Sequence, residues 1–185
     1  MTRVGPFNPH RLQLVAIVVG VSFVGPFFVA HAIGVRINLS PSLPLGLYLE
    51  TSDLRTRLIE FCPAEPYATF AMERGYRSAG NCPDGGAPLM KPIVAIAGDV
   101  VRISADGLAV NGVLVPNTSV QWRDAQGRPM RSWVPGIYRV PPGQIWVASS
   151  FNPWSYDSRY FGAVPVSLIR SRLRPFLTFS HSDSQ

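Results

Sequence analysis

The chain has 185 residues, 46% of them hydrophobic and only 15% charged, which suits one soluble domain with or without a membrane anchor and excludes a disordered polyelectrolyte. The net charge of +6 is dispersed and lacks the clustered basic residues with interleaved aromatics of a nucleic-acid-handling protein, so no nucleic-acid partner is expected. Two cysteines and three scattered histidines (His10, His31, His181) exclude a zinc site by spacing and supply a Ser-His-Asp triad poorly; the only lysine follows Met90, not a glycine, which rules out a Walker phosphate loop. No metal and no cofactor are expected.

Residues 1–13 read as a cytoplasmic N-terminus, and residues 14–35 carry no Asp, Glu, Lys or Arg. A helix of that length covers about 33 Å, enough to cross a bilayer core. Arg3 and Arg11 precede the run and Arg36 alone follows it, a bias that keeps the N-terminus inside and exports the rest. The motif Ala30-His31-Ala32 also fits a cleaved signal peptide; an uncleaved anchor is favoured because the run exceeds a usual signal core. Export places the soluble part where disulfides form, which predicts a Cys62–Cys82 bridge and makes membrane lipids a neighbour.

Past the anchor, 18 prolines and 16 glycines favour short strands and turns over long helices. The expected strands cover residues 46–50, 93–97, 100–103, 108–110, 113–115, 144–148 and 166–173, with hairpin turns at Asp106-Gly107 and Asn111-Gly112. Residues 62–88 read as an irregular excursion and residues 176–185 as a polar tail, leaving 36–175 as a mainly β exported domain. Arg170, Arg172 and Arg174 alternate, which reads as one face of a solvated edge strand, with lipid phosphates as the competing reading. Trp146 is expected in the core.

Of the 17 basic residues only Lys91 is a lysine, and it sits in the apolar stretch Leu89-Met90-Lys91-Pro92-Ile93. Arginine stays charged at any physiological pH, whereas a buried lysine can lose its proton and act as a base. Pro92 biases Lys91 toward an extended strand, which aims its side chain at a fixed face. Upstream, Ser42 lies seven residues past Val35, within about 25 Å of the anchor even if fully extended, so a nucleophile there works near the membrane surface.

Ser40-x-Ser42-Leu43-Pro44-x-Gly46-Leu47-Tyr48 resembles the nucleophile box of the TraF-type conjugative-transfer signal peptidases, a branch of the type I signal peptidase (S26) family. The segment from Leu89 to Val101 is similar to that family's lysine box, and Ser155-Tyr156-Asp157-Ser158-Arg159-Tyr160-Phe161-Gly162 to its C-terminal box. The resemblance implies a signal-peptidase-like β domain with irregular loops behind one N-terminal transmembrane helix, single-pass in a bacterial inner membrane with the catalytic domain periplasmic. It makes Ser42 the nucleophile and Lys91 the general base, with Ser40 and the Ser42 N–H forming the oxyanion hole. It makes Ser155 the hydroxyl that orients the lysine, and Asp157 and Arg159 structural residues beside the site; an ion pair suits these two better than catalysis. It further implies an exported, pilin-like precursor as substrate, released by hydrolysis or cyclisation. The competing reading is a non-catalytic, membrane-anchored assembly subunit of a secretion or conjugation complex, which leaves the surroundings of Lys91 without a reason. Leu43, Pro92 and Ser149-Ser150-Phe151-Asn152 depart from the ordinary members and match the TraF branch.

Overall fold

The computed structural model describes residues 34–179. The expected anchor falls outside them except for Gly34, in a turn, and Val35, the first residue of a strand. Among the described residues no helix is long and apolar enough to cross a membrane. The chain divides into a short unit, Met1–Arg36, and a compact unit, Ile37–Gln185.

The described residues are mainly β, as expected. In chain order the strands are β1 (Val35–Asn38), β2 (Leu45–Thr51), β3 (Leu58–Phe61), β4 (Leu89–Ala95), β5 (Val100–Ser104), β6 (Gly107–Val110), β7 (Val113–Leu114), β8 (Gly136–Arg139), β9 (Gln144–Val147), β10 (Val164–Pro165) and β11 (Ile169–Phe179). Two short helices, α1 (Tyr67–Glu73) and α2 (Ser158–Phe161), interrupt them. One sheet has the order β1-β2-β11-β3-β4-β9-β10 and the other β7-β6-β5-β8. Their apolar faces bury Ile59, Phe61, Ile93, Val101, Leu108, Val140, Trp146 and Phe161 in one core.

Local chemistry explains the best-read parts. Asn111 and Gly112 both take positive φ (50° and 85°), which a two-residue hairpin demands and which turns β6 into β7. In β4 burial alternates along the strand, so Leu89, Lys91, Ile93 and Ala95 share the inner face. This settles which apolar residues flank the lysine: Leu89 and Ile93 share its face, while Met90 points the other way. Gly46 is required by a long-range contact, since a Cβ there would lie 2.1 Å from the Leu177 carbonyl oxygen of β11.

Three expectations change. The excursion at 62–88 contains α1, which buries Ala68 and Ala71 one turn apart on a single face. Val166–Leu168 is a 3₁₀ turn, and β11 then continues to Phe179 instead of giving way to a polar tail at 176, because its far half pairs with β2 as far as Phe179 opposite Leu45. Nor is β11 an edge: it lies between β2 and β3. Its arginines tie down loops, Arg170 donating to the carbonyl of Asn81 (2.8 Å) and Arg172 to that of Thr56.

Cys62 and Cys82 form a disulfide across 20 positions, between the end of β3 and the approach to β4. Closing a loop of that length contributes about 3 kcal/mol through the unfolded chain. Cys62→Ser is therefore expected to lower the thermal midpoint by roughly 10 °C and to abolish the mobility shift on reduction. An unchanged midpoint would show the bridge to be dispensable.

Candidate active site

The loop that carries Ser42, residues 39–44, joins β1 to β2 and is held by three side chains. Asn38, at the end of β1, is buried; its Nδ2 donates to the carbonyls of Ser40 (2.9 Å), Leu43 (3.2 Å) and Pro44 (3.1 Å), and its Oδ1 accepts from the Ser40 N–H (3.1 Å). Tyr48 donates its hydroxyl to the Pro44 carbonyl at 2.7 Å. From outside the segment, Ser149 Oγ donates to the carbonyl oxygen of Ser42. With Pro41 and Pro44 fixing two φ angles, the loop has little freedom left.

Ser42 is 9% exposed. The Ser40 hydroxyl donates to Ser42 Oγ at 3.1 Å and accepts from the Ser42 N–H at 3.3 Å. The two expected oxyanion donors thus lie side by side, engaged with each other.

Lys91 is 3% exposed on the inner face of β4. Burial lowers its pKa from 10.5 to about 8, against the opposing pull of Asp157 and with a smaller downward push from Arg159. Removal from water disfavours the ammonium, so a neutral amine becomes accessible near neutral pH. Asp157 is in turn neutralised: Arg159 Nε and Nη2 donate to its two oxygens at 2.8 and 2.9 Å, and both residues are fully buried. The remaining guanidinium donors reach the carbonyls of Ser119, Pro153 and Ser155, so all five N–H groups are used.

Ser42 and Lys91 line the same cavity of about 290 Å³, together with Leu89, Met130, Tyr156 and Tyr160. No hydrogen bond joins the two among the described residues. The cavity is also lined by residues of the segment 121–130, folded around Asp124, whose carboxylate accepts from the Tyr76 hydroxyl (2.6 Å), Arg128 Nε (2.7 Å) and the Gln126 and Arg128 N–H groups. Burial pushes that carboxyl up, but these hydrogen bonds prevail and hold it well below the usual range.

The structure therefore brings together Ser40, Ser42 and Lys91, with Asp157 and Arg159 close enough to act on the amine. Ser155 is buried next to Tyr156, and its Oγ makes no hydrogen bond among the described residues, so the expected contact with Lys91 is not made in this geometry. Cys62 and Cys82 do not line the cavity. His181 lies outside the described residues. The residues that the sequence reading missed are Asn38, Tyr48, Asp124 and Ser149. An asparagine two residues before Ser40 carries a readable turn signal; Ser149 carries none, because its partner lies 107 positions away.

The signal peptidase, peptidase S26, family matches residues 10–177. A probable conjugal transfer protein TraF of Sinorhizobium fredii is 40% identical over 162 residues, which covers 85% of this chain and 84% of that protein. A conjugal transfer protein TraF of Agrobacterium fabrum is 40% identical over 154 residues (79% and 84%), and a plasmid transfer protein TraF of Escherichia coli 34% over 153 (80% and 85%). Among solved structures, a signal peptidase I of Enterococcus faecalis is 20% identical with a TM-score of 0.37, over 68% of this chain and 99% of that one. With residues 10–177 inside the family match, and relatives sharing a third or more of its residues over most of their length, the chain belongs to the signal peptidase family, peptidase S26.

Proposed function

We propose that the chain is a membrane-anchored serine endopeptidase in which Ser42 is the nucleophile and Lys91 the general base. The observation that carries this is a lysine 3% exposed, with its pKa lowered to about 8, on the cavity that Ser42 also lines. A structural lysine gains nothing from such burial, whereas a base requires it.

Neutral Lys91 Nζ takes the Ser42 hydroxyl proton as Oγ bonds to the scissile carbonyl carbon. Substrate entry excludes water and tightens the approach of Oγ to Nζ. The oxygen that becomes negative displaces the Ser40 hydroxyl from the Ser42 N–H and is then held by both donors, each contributing about 3 kcal/mol. The ammonium of Lys91 returns the proton to the leaving nitrogen, the C–N bond breaks, and an acyl ester on Ser42 remains. Water, deprotonated by the same amine, resolves the ester by hydrolysis; a substrate amine resolves it by cyclisation. Rotation of the unpaired Ser155 hydroxyl toward Nζ would orient the base.

The names of the relatives concern conjugal and plasmid transfer. On that footing the substrate is an exported, membrane-held precursor of a conjugation apparatus, of pilin type. The uncharged run at 14–35 is the anchor, in the inner membrane, with the catalytic unit on the periplasmic side.

The test is incubation of the purified full chain with exported precursors from pH 5 to 9.5, with products read by mass. One cut is expected, and a product lighter by one water than the trimmed peptide identifies cyclisation. The neutral amine is the working form and its pKa is lowered, so the rate should rise with pH around a midpoint of about 8. It should be roughly fifty-fold slower at pH 6 than at pH 8. A flat profile would exclude a lysine base, and no cut of any precursor would favour the assembly-subunit reading.

A further inference from the structure

Ser42 stands on the loop between β1 and β2 and Lys91 on β4, and neither β1 nor β2 pairs with β4. The nucleophile loop ends in β2, and β11 and β3 separate β2 from β4, which carries Lys91. At about 4.8 Å per strand, the two strand axes are roughly 14 Å apart. The sheet therefore does not by itself set how close Ser42 comes to Lys91.

Ser149 supplies the missing link. It is fully buried just past β9, the strand that flanks β4 on its other side. Its Oγ donates to the Ser42 carbonyl oxygen and accepts from the Phe151 N–H at 3.1 Å. Its own N–H donates to Asp157 Oδ2 at 3.2 Å. The preceding residue, Ala148, donates its N–H to the carbonyl of Pro92 at 3.2 Å, one residue from Lys91. Among the described residues, no other hydrogen bond runs from the loop 39–44 to anything beyond Tyr48.

We propose that Ser149 is a positioning residue: its hydroxyl pins the nucleophile loop to the wall that carries Lys91 and so sets the separation of the reacting groups. The inference rests on the Ser42/Lys91 reading and adds the part that holds the pair in register. Ser149 touches neither substrate nor reacting atoms. It acts through the Ser42 carbonyl on one side and through Asp157 and the Pro92 neighbourhood on the other.

The experiment compares Ser149→Ala, Ser149→Cys and Ser42→Ala with the wild-type full chain, with rates corrected for folded fraction by circular dichroism. Displacing a nucleophile by about 1 Å costs on the order of 10²-fold in rate. Ser149→Ala is expected to lower kcat about that much while KM stays within about twofold and the acid-limb midpoint stays in place, since Lys91 keeps its surroundings. Ser149→Cys, with a weaker donor of similar size, should fall between the two. A wild-type kcat in Ser149→Ala, or a loss confined to KM or to the folded fraction, overturns the proposal. If Ser149→Ala does not fold, Ser149→Cys decides alone: an intermediate kcat supports the proposal and an unchanged one overturns it. Processing that persists in Ser42→Ala instead rejects the underlying dyad.

Discussion

Ser42→Ala and Lys91→Arg are each expected to abolish precursor processing, with kcat down about 10⁴-fold or more, while the protein still folds. Removal of the Ser42 hydroxyl leaves nothing to form the ester. Arginine keeps the charge and, roughly, the reach of Lys91, but its guanidinium does not lose a proton, so it cannot take one from Ser42. Near-normal turnover in Lys91→Arg would disprove the neutral-amine mechanism outright. Stability should respond in the opposite sense. Below about pH 8 the folded protein holds Lys91 as a buried cation at a cost on the order of 3 kcal/mol, from the drop in pKa from 10.5 to about 8. That penalty is full below the folded value and fades as the pH climbs toward the unfolded one. Lys91→Met should accordingly raise the denaturant midpoint at pH 7 and change it little at pH 10.5.

Arg159→Met should have the largest structural effect. The guanidinium spends all five donors, two on Asp157 and three on backbone carbonyls, in a fully buried setting. Removing it leaves a buried carboxylate with its main partner gone, a loss of about 3–5 kcal/mol or roughly 10–15 °C in thermal midpoint. It should also act on the Lys91 amine. Asp157 raises the pKa of Lys91 and Arg159 lowers it. Without the arginine both changes point upward, so the acid limb of the pH–rate profile should move to higher pH. An unchanged thermal midpoint would show that the pair does not support the fold, and a shift to lower pH that it does not act on the amine in this way.

The parts of the fold legible in the sequence are those set by neighbours in the chain. The Asn111-Gly112 hairpin follows from two residues that tolerate positive φ. The extended conformation at Lys91 follows from Pro92 and from alternation, although β4 begins at Leu89 instead of at residue 93, because Leu89 pairs with Phe61 of β3. The end of the chain misleads for the same reason in reverse. The last expected strand stops at 173, two residues before Pro175, yet β11 passes that proline at a shift in register and stays paired to β2. Local preference there is weaker than the ladder it would have to break. The structure pairs Cys62 with Cys82, as the export argument predicted, but that argument does not say that the bridge lies away from the cavity.

By itself the sequence determined which residues could do chemistry: one lysine among arginines in an apolar alternating stretch, and a serine locked between prolines and flanked by Ser40. Those are properties of side-chain type and of the nearest few residues. Only the tertiary structure decided that Ser42 and Lys91 share a cavity, that the charge of Asp157 felt by the amine is already paired with Arg159, and that Ser149 ties the Ser42 loop to the side of the sheet that carries Lys91. Depth of burial and contacts across a hundred residues are sums over strands that meet only when the sheet closes, and no local pattern in the chain encodes them.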